Sequence, residues 1–565
     1  MIVCGISCFY HDSAITFIDE NKILFAIAEE RLTRKKHDNG FPQLGFLQGL
    51  QYLGIDRKDI DYISYYEDPR EKLKRIIDFI TYRWPRTKNT FFKILPRFYF
   101  NHYPIKHIIE KQFIFPRNRI LIGQHHLSHA AAAFFTSPFE EALVVTIDGV
   151  GERETLVVFE GRKNTLKKLK AVHFPDSVGL FYSVFTHYLG FKPNSGEYKV
   201  MGLAPYGEPV YKDLLKKYVF KYENGYPYLN LKYFNFDKED KHFTSSLEKL
   251  LGFPPREPET EIESCHKNLA ASVQEVLEEF LFNLFSSLKK ETKANNLCIG
   301  GGVALNCSFN GKLLRSGLFE NIHIHNACGD DAGALGTAIL TLLKNKEIKE
   351  PLRYFDNYSP YLGREYSDFF IQQTLKLNNI KYRLEENNSR YIAQKLSEGK
   401  IVAVFCGRDE WGPRALGNRS ILADSRKREM KDILNKKVKF REAFRPFAPI
   451  CLEDKAHYWF ETGGKKFPDM LFTVQSKRPD KLQAVTHVNN TSRVQTLSKD
   501  RNLYVYSIIE EFEKITGVPV LINTSFNLRG EPIVASPSDA LNTFFKSGID
   551  ILVFNEKIII NKEEL

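Results

Sequence analysis

At the start of the chain, apolar residues fall into short runs broken by polar turns, and that spacing predicts strands. Residues 2–8 and 14–18 read as two strands joined by Phe9-Tyr10-His11-Asp12-Ser13, and residues 22–28 as a third after Asp19-Glu20-Asn21. A further apolar run, Ala142–Ile147, ends on Asp148 and Gly149. From 267 to 290 the period changes. Leu269, Val273, Val276, Leu277 and Phe280 recur at helical spacing and predict an amphipathic helix. A strand at Asn296–Ile299, a glycine loop over 300–306 and a helix over 332–343 follow. Residues 390–398 predict a helix leading into a strand at 401–405, with further strands at 518–522 and 550–554. Strands alternating with helices make the class α/β. Composition shifts at 344–390, placing a domain boundary near 355 and giving domains 1–355 and 356–565. No internal repeat is visible.

A chain of 565 residues exceeds what one core supports, which agrees with two domains. Apolar residues make up 43% and charged residues 26%, as in ordinary globular proteins. No run of 18 apolar residues exists, so no membrane span is expected, and Met1–Ser7 reads as a first strand rather than a signal peptide. The eight cysteines are scattered, mostly in apolar stretches, and fit reduced thiols in a cytoplasm. The net charge of +11 is concentrated: residues 69–119 hold thirteen Lys/Arg against three acids, with Trp84 and several Phe and Tyr between them. A solvated helical insertion explains this. So does a surface for an acidic or lipid-linked acceptor or for a membrane, whereas no nucleic-acid motif accompanies it.

The densest chemistry begins at Gln124-His125-His126-Leu127-Ser128-His129. On a helix, His125 and His129 share one face with Cβ atoms about 5–6 Å apart. Two imidazole nitrogens then reach one cation at about 2.0–2.1 Å each. Asp148 and Asp330 would complete a set of two nitrogens and two oxygens that suits iron, manganese or zinc, with Asp331 as the alternative to Asp330. Consecutive glycines Gly300, Gly301 and Gly302, with Asn306 closing the loop, let backbone N–H groups approach an anion. Arg414 and Arg445 sit among glycine, proline and aromatic neighbours, where guanidinium forks match phosphate oxygens. Asn523 and Ser525, at the end of an apolar strand, fit the polar rim of an α/β crevice. Ser525 lacks a nucleophile-elbow context and reads as a hydrogen-bonding group.

His11-Asp12-Ser13-Ala14, Glu29-Glu30-Arg31, Lys36-His37, His125-His126-x-x-His129, Lys199-Val200-Met201-Gly202-Leu203-Ala204, the Gly300 loop, Gly412-Pro413-Arg414-Ala415-Leu416-Gly417 and Arg445-Pro446-Phe447-Ala448-Pro449 occur in that order. This series resembles the NodU/CmcH/TobZ family of O-carbamoyltransferases over nearly the whole chain. The resemblance implies an actin-like N-terminal domain similar to the threonylcarbamoyl transferase TsaD and a C-terminal domain similar to YrdC. It implies formation of carbamoyl-adenylate from carbamoyl phosphate and ATP, the latter with Mg2+, in the second domain. Transfer to a hydroxyl would follow in the first domain, beside a bound metal, usually Fe2+. By motif position the ligands fall on His125, His129, Asp148 and Asp330; His11 and Lys36 fall at the acceptor end; Arg414, Lys439, Arg445, Arg493 and Ser525 fall in the carbamoyl-phosphate and ATP pocket. His11 would take the proton from the attacking hydroxyl. A sheltered passage between two sites would protect the intermediate from water.

The expected acceptor is a sugar, glycan or natural product, with a homodimer also admitted. Three other readings compete. A tRNA threonylcarbamoyl transferase leaves the Pro446-Phe447-Ala448-Pro449 motif without a role. A sugar kinase on the actin-like fold leaves the histidine pair unexplained. A membrane-binding scaffold would use only 69–119.

Overall fold

The computed structural model describes every residue except Glu239 and Lys349, with Asn101 and Asn357 described by backbone alone. Two compact units emerge: Met1–Glu29 with His37–Tyr358, and Glu30–Lys36 with Ser359–Leu565.

The first unit holds two five-stranded sheets. One is built from β1 (Val3–Ser7), β2 (Ala14–Ile18), β3 (Ile23–Ala28), β4 (Tyr62–Tyr65) and β5 (Ile120–Ile122), in the order β3-β2-β1-β4-β5. β1 to β3 form an antiparallel meander, and β4 and β5 continue the sheet in parallel with β1. The other contains β6 (Glu141–Ile147), β7 (Glu154–Arg162) and β8 (Thr165–His173). After a separate hairpin of β9 (Phe220–Glu223) and β10 (Tyr226–Leu229), β11 (Asn296–Gly300) and β12 (Asn321–Ile324) complete it in the order β8-β7-β6-β11-β12. The meander is again antiparallel and the last two strands parallel to β6. The two sheets share one topology, which is the paired-half, actin-like plan. The sequence showed no repeat because the duplication lies in hydrogen-bonding order.

Each half ends in a helix: His125–Phe135 follows β5, and Asp331–Asn345 follows β12. The two pack with backbones nearly touching, because a Cβ on Gly336 would lie 1.7 Å from the Ser128 carbonyl oxygen. Only glycine permits that approach. The predicted amphipathic helix spans Ser264–Thr292 and buries Leu269, Val273, Val276, Leu277 and Phe280, the positions that carried its period.

The second unit is a mixed α/β layer around an eight-stranded sheet. In spatial order its strands are Arg383–Leu384, Ile558–Asn561, Ile551–Phe554, Val402–Phe405, Arg419–Asp424, Val520–Ser525, Ala448–Leu452 and Gln495–Leu497. Val404, Leu422, Ile450, Leu521 and Val553 pack on Ile392, Ile508 and Phe512 from the helices Ser389–Ser397 and Leu503–Thr516. Residues 30–36 are stitched into this unit. Buried Arg31 donates from Nη2 to the Gly412 carbonyl at 3.0 Å. Arg34 donates to the Ile533 and Pro532 carbonyls at 2.7 and 2.9 Å and lies 3.4 Å from Asp539. Residues 30–36, assigned from the sequence to the first domain, therefore belong with the second. Among the described residues no helix is long and apolar enough to cross a membrane. All eight cysteines are free thiols.

Candidate functional site

His125, His129, Asp148 and Asp330 converge in the first unit, each offering a donor atom, all within 4.8 Å of one another. Both histidines occupy the first turns of helix His125–Phe135. Asp148 caps the end of β6, where Gly149 N–H donates to Oδ1 at 2.8 Å and leaves Oδ2 toward the imidazoles. His129 Nε2 lies 3.2 Å from Asp148 Oδ2 and 3.4 Å from Asp330 Oδ1; the corresponding His125 Nε2 distances are 3.4 and 3.9 Å. Donors about 2.1 Å from a shared cation and at roughly tetrahedral to right angles are themselves about 3.0–3.4 Å apart. Buried His129 Nε2 and Asp330 Oδ2 have no hydrogen-bond partner among the described residues, although the imidazole nitrogen lies close to two carboxylates. Proximity without hydrogen-bond geometry fits lone pairs aimed at a common point, so the residues present fit a divalent transition metal.

Burial works against charge on His129, but the Asp148 and Asp330 carboxylates outweigh it and push it up to about 10. Burial likewise opposes charge on Asp148, and the two imidazoles hold it well below the usual carboxylate range. His126 is different. Its ring nitrogens meet Thr146 Oγ1 at 2.8 Å and the Glu154 carbonyl at 3.0 Å, and burial with the neighbouring histidines pushes it down to about 3. Asp331 accepts from Ala332 N–H at 3.1 Å and stands outside the four-residue group, so Asp330 is the carboxylate that faces the histidines.

The surroundings contain groups to which sequence reasoning assigned no role. Glu67 lies 3.9 Å from His125 Nδ1 and accepts from Lys72 Nζ at 2.8 and 3.0 Å and from the Tyr65 hydroxyl at 3.1 Å. At that distance Glu67 acts on the His125 ring through its charge and not through a hydrogen bond, since His125 Nδ1 has no hydrogen-bond partner among the described residues. Glu152 Oε1 accepts the N–H groups of Asp68 and His125 at 2.8 and 2.7 Å, satisfying the helix N-terminus. A Cβ on Gly149, next to Asp148, would lie 3.9 Å from the Tyr10 hydroxyl; burial raises this phenol, and the Asp330 and Asp148 charges raise it further.

His11, in the turn between β1 and β2, belongs to a second cluster in the same unit. His11 Nδ1 and His37 Nδ1 each lie 2.7 Å from Asp12, on separate carboxylate oxygens. His11 Nε2 meets the Asn194 carbonyl. Burial disfavours charge on His11, yet Asp12 raises it to about 10. Both His11 nitrogens thus face acceptors and the ring is held protonated. Accepting a proton, the role implied by its motif position, requires Nε2 first to part from the Asn194 carbonyl and to give up its own proton.

The glycine loop lies tight against the metal-site strand. Gly301 has φ +87°, and a Cβ there would sit 2.3 Å from the Ile147 carbonyl, the residue before Asp148. Asn306 was read as part of the anion site, but its side chain is already engaged. It caps helix Cys307–Arg315 through Phe309 N–H at 3.1 Å and pairs reciprocally with the Gln274 amide at 3.0 and 3.1 Å.

In the second unit, buried Lys439 hydrogen-bonds to amide, carbonyl and hydroxyl oxygens rather than to a carboxylate. Its ammonium donates to the Ser525 carbonyl, to Asn527 Oδ1 at 2.8 Å, to the Asn527 carbonyl at 3.1 Å and to Ser525 Oγ at 3.3 Å. Burial lowers Lys439 strongly, and Arg441, Arg445 and Lys36 add to it as like charges. Lys36, expected at the acceptor end, is one of the like charges felt at Lys439. Asn523 Nδ2 donates to the Ala415 carbonyl at 3.1 Å and to Gln495 Oε1 at 2.7 Å. Those bonds fix Asn523 between the loops carrying Arg414 and Arg493, and its Oδ1 and Arg493 Nε are buried without partners among the described residues. Arg445 lies 3.7 Å from Glu442.

The first unit thus holds a cluster of four residues fit for a metal, and the second a cluster of basic side chains around Lys439. Residues 2–339 match the family model described as carbamoyltransferase N-terminus, and residues 393–562 that described as carbamoyltransferase C-terminus. The chain belongs to the carbamoyltransferase family and is a transferase enzyme. It is 38% identical to an uncharacterised protein of Synechocystis sp., over 99% of this chain and 96% of that one. It is 36% identical to the nodulation protein NolNO of Sinorhizobium fredii, over 98% and 79%. Component A of the Acidaminococcus fermentans (R)-2-hydroxyglutaryl-CoA dehydratase aligns with TM-score 0.35 and 14% identity, over 61% of this chain and 98% of that one.

Proposed function

We propose that in the second unit water cleaves carbamoyl phosphate to carbamate and phosphate, that carbamate attacks the α-phosphorus of ATP to give carbamoyl-adenylate and pyrophosphate, and that the first unit passes the carbamoyl group to a hydroxyl of a sugar, glycan or natural product, with AMP as the leaving group. The convergence of His125, His129, Asp148 and Asp330 carries this reading, because a kinase on the same fold has no use for it. These four residues would hold Fe2+ or another divalent transition metal, which supplies Lewis acidity toward a carbamoyl oxygen. In the pocket of the second unit, Lys439, Arg445, Arg414 and Arg493 would bind phosphate oxygens, and Ser525 would donate to them. Guanidiniums held by buried neighbours need little rearrangement as negative charge builds on the leaving pyrophosphate. In the first unit, an acceptor hydroxyl that replaces the Asn194 carbonyl at His11 Nε2 would be oriented by an imidazole already fixed through Asp12.

The test is incubation of purified protein with ATP and carbamoyl phosphate, following pyrophosphate. Release that requires carbamoyl phosphate, and that falls by roughly 100-fold or more in Lys439→Met, is expected. Formation of ADP would favour a kinase. A requirement for threonine in place of carbamoyl phosphate would favour a tRNA-modifying enzyme.

A further inference from the structure

The insertion between β4 and β5 contains helices Pro69–Tyr82, Lys88–Asn101 and Ile105–Phe113, and no reaction residue lies on it. From Phe79 to Ile109 the sequence has no Asp or Glu. Five aromatic side chains there are more than half exposed: Tyr82 at 80%, Phe100 at 73%, Phe92 at 64%, Trp84 at 54% and Tyr99 at 52%. Phe92, Tyr99 and Phe100 recur at i, i+7 and i+8 and so share one stripe of their helix. Exposed Arg86, Lys88, Lys93 and Arg97 are interleaved with them. The segment is held in place from below: Thr90 Oγ1 donates to the Asp237 carbonyl at 2.8 Å, and Arg83 lies 3.9 Å from the Asp237 carboxylate. Phe98 is buried, so the exposed rings are surplus to the local core.

Aromatic side chains of this size leave several hundred Å² of apolar surface open, more than scattered exposed residues account for. A second copy using the same patch would set Arg86, Lys88, Lys93 and Arg97 against their own duplicates, with no acid in the segment between them. Aromatic rings mixed with Lys and Arg instead match a bilayer interface, where rings enter the headgroup layer and cations meet anionic lipid. We propose that residues 82–100 form a peripheral docking surface for an anionic membrane. The assignment is independent of the reaction proposed above.

The experiment is flotation of the full-length protein with vesicles of equimolar phosphatidylcholine and phosphatidylglycerol, against pure phosphatidylcholine. Co-flotation with the anionic vesicles that weakens with added salt is expected. Trp84 is exposed while Trp411 and Trp459 are 2% and 5% exposed, so a blue shift of tryptophan emission on binding reports Trp84. The triple change Lys88→Gln, Lys93→Gln, Arg97→Gln should weaken partition roughly 100-fold. The triple change Tyr82→Ala, Phe92→Ala, Phe100→Ala, which keeps the Trp84 reporter, should abolish the blue shift. Neither should alter carbamoyl-phosphate-dependent pyrophosphate release, which also reports correct folding. No flotation at low salt, or equal binding to both vesicle types, would overturn the proposal. So would light scattering showing a dimer that the aromatic triple change converts to monomer.

Discussion

The two halves of the first unit share a strand order, yet they contribute different chemistry at matching places. After its fifth strand, the first half opens a helix bearing His125 and His129; after its fifth strand, the second half opens a helix beginning at Asp331, with Asp330 just before it. The turn after the first strand carries His11 and Asp12 in one half and Asp148 in the other. One half thus supplies imidazoles and the other carboxylates to a single point. A duplicated scaffold can therefore make a mixed donor set without either half holding a complete site, because the helices meet where their N-terminal turns converge.

The sharpest way to break this equivalence is to remove one donor from each half. His129→Ala and Asp330→Ala should each lower bound metal, measured by mass spectrometry on purified protein, by more than the roughly 100-fold that loss of an outer partner costs. His126→Asn should leave metal content unchanged, since that ring is spent on Thr146 and Glu154. If only one half's variant loses metal, the shared-site reading fails. The seam between halves is tested by Gly336→Ala, whose methyl would overlap the Ser128 carbonyl. A loss of at least about 2 kcal/mol in urea unfolding is expected. Glu67→Gln, acting through His125, should weaken metal affinity by about 10-fold with little change in stability.

The smallest effect concerns His11. Asp12 raises its folded pKa from 6.5 to about 10, so the stabilisation is complete below the unfolded value and is withdrawn as pH rises through about 10. The stability difference between wild type and His11→Gln should shrink over that window. A difference that grows with pH would contradict the assignment.

Much of this arrangement was legible in the chain. Periodicity located helix Ser264–Thr292, and polar turns located β1 to β3, because both depend on local burial. The histidine pair was readable since helical spacing alone brings its rings together. The duplication was not, because long insertions, residues 69–113 in one half and the helices between β8 and β11 in the other, disguise equal strand order. Glu67 and Tyr10 carry no motif, and only tertiary folding brings them to the centre. Asn306 closes a glycine-rich loop, and its capping bond to Phe309 and its pairing with Gln274, 32 residues upstream, come from the folded chain and carry no motif.

Because residues 30–36 complete the second unit from far upstream, that unit is not a separable cassette. A gene fragment starting at Ser359 would leave Asp539 and the carbonyls of Gly412, Pro532 and Ile533 without their arginines. Grafting this unit between relatives therefore means transplanting two pieces of coding sequence, one of them only seven codons long.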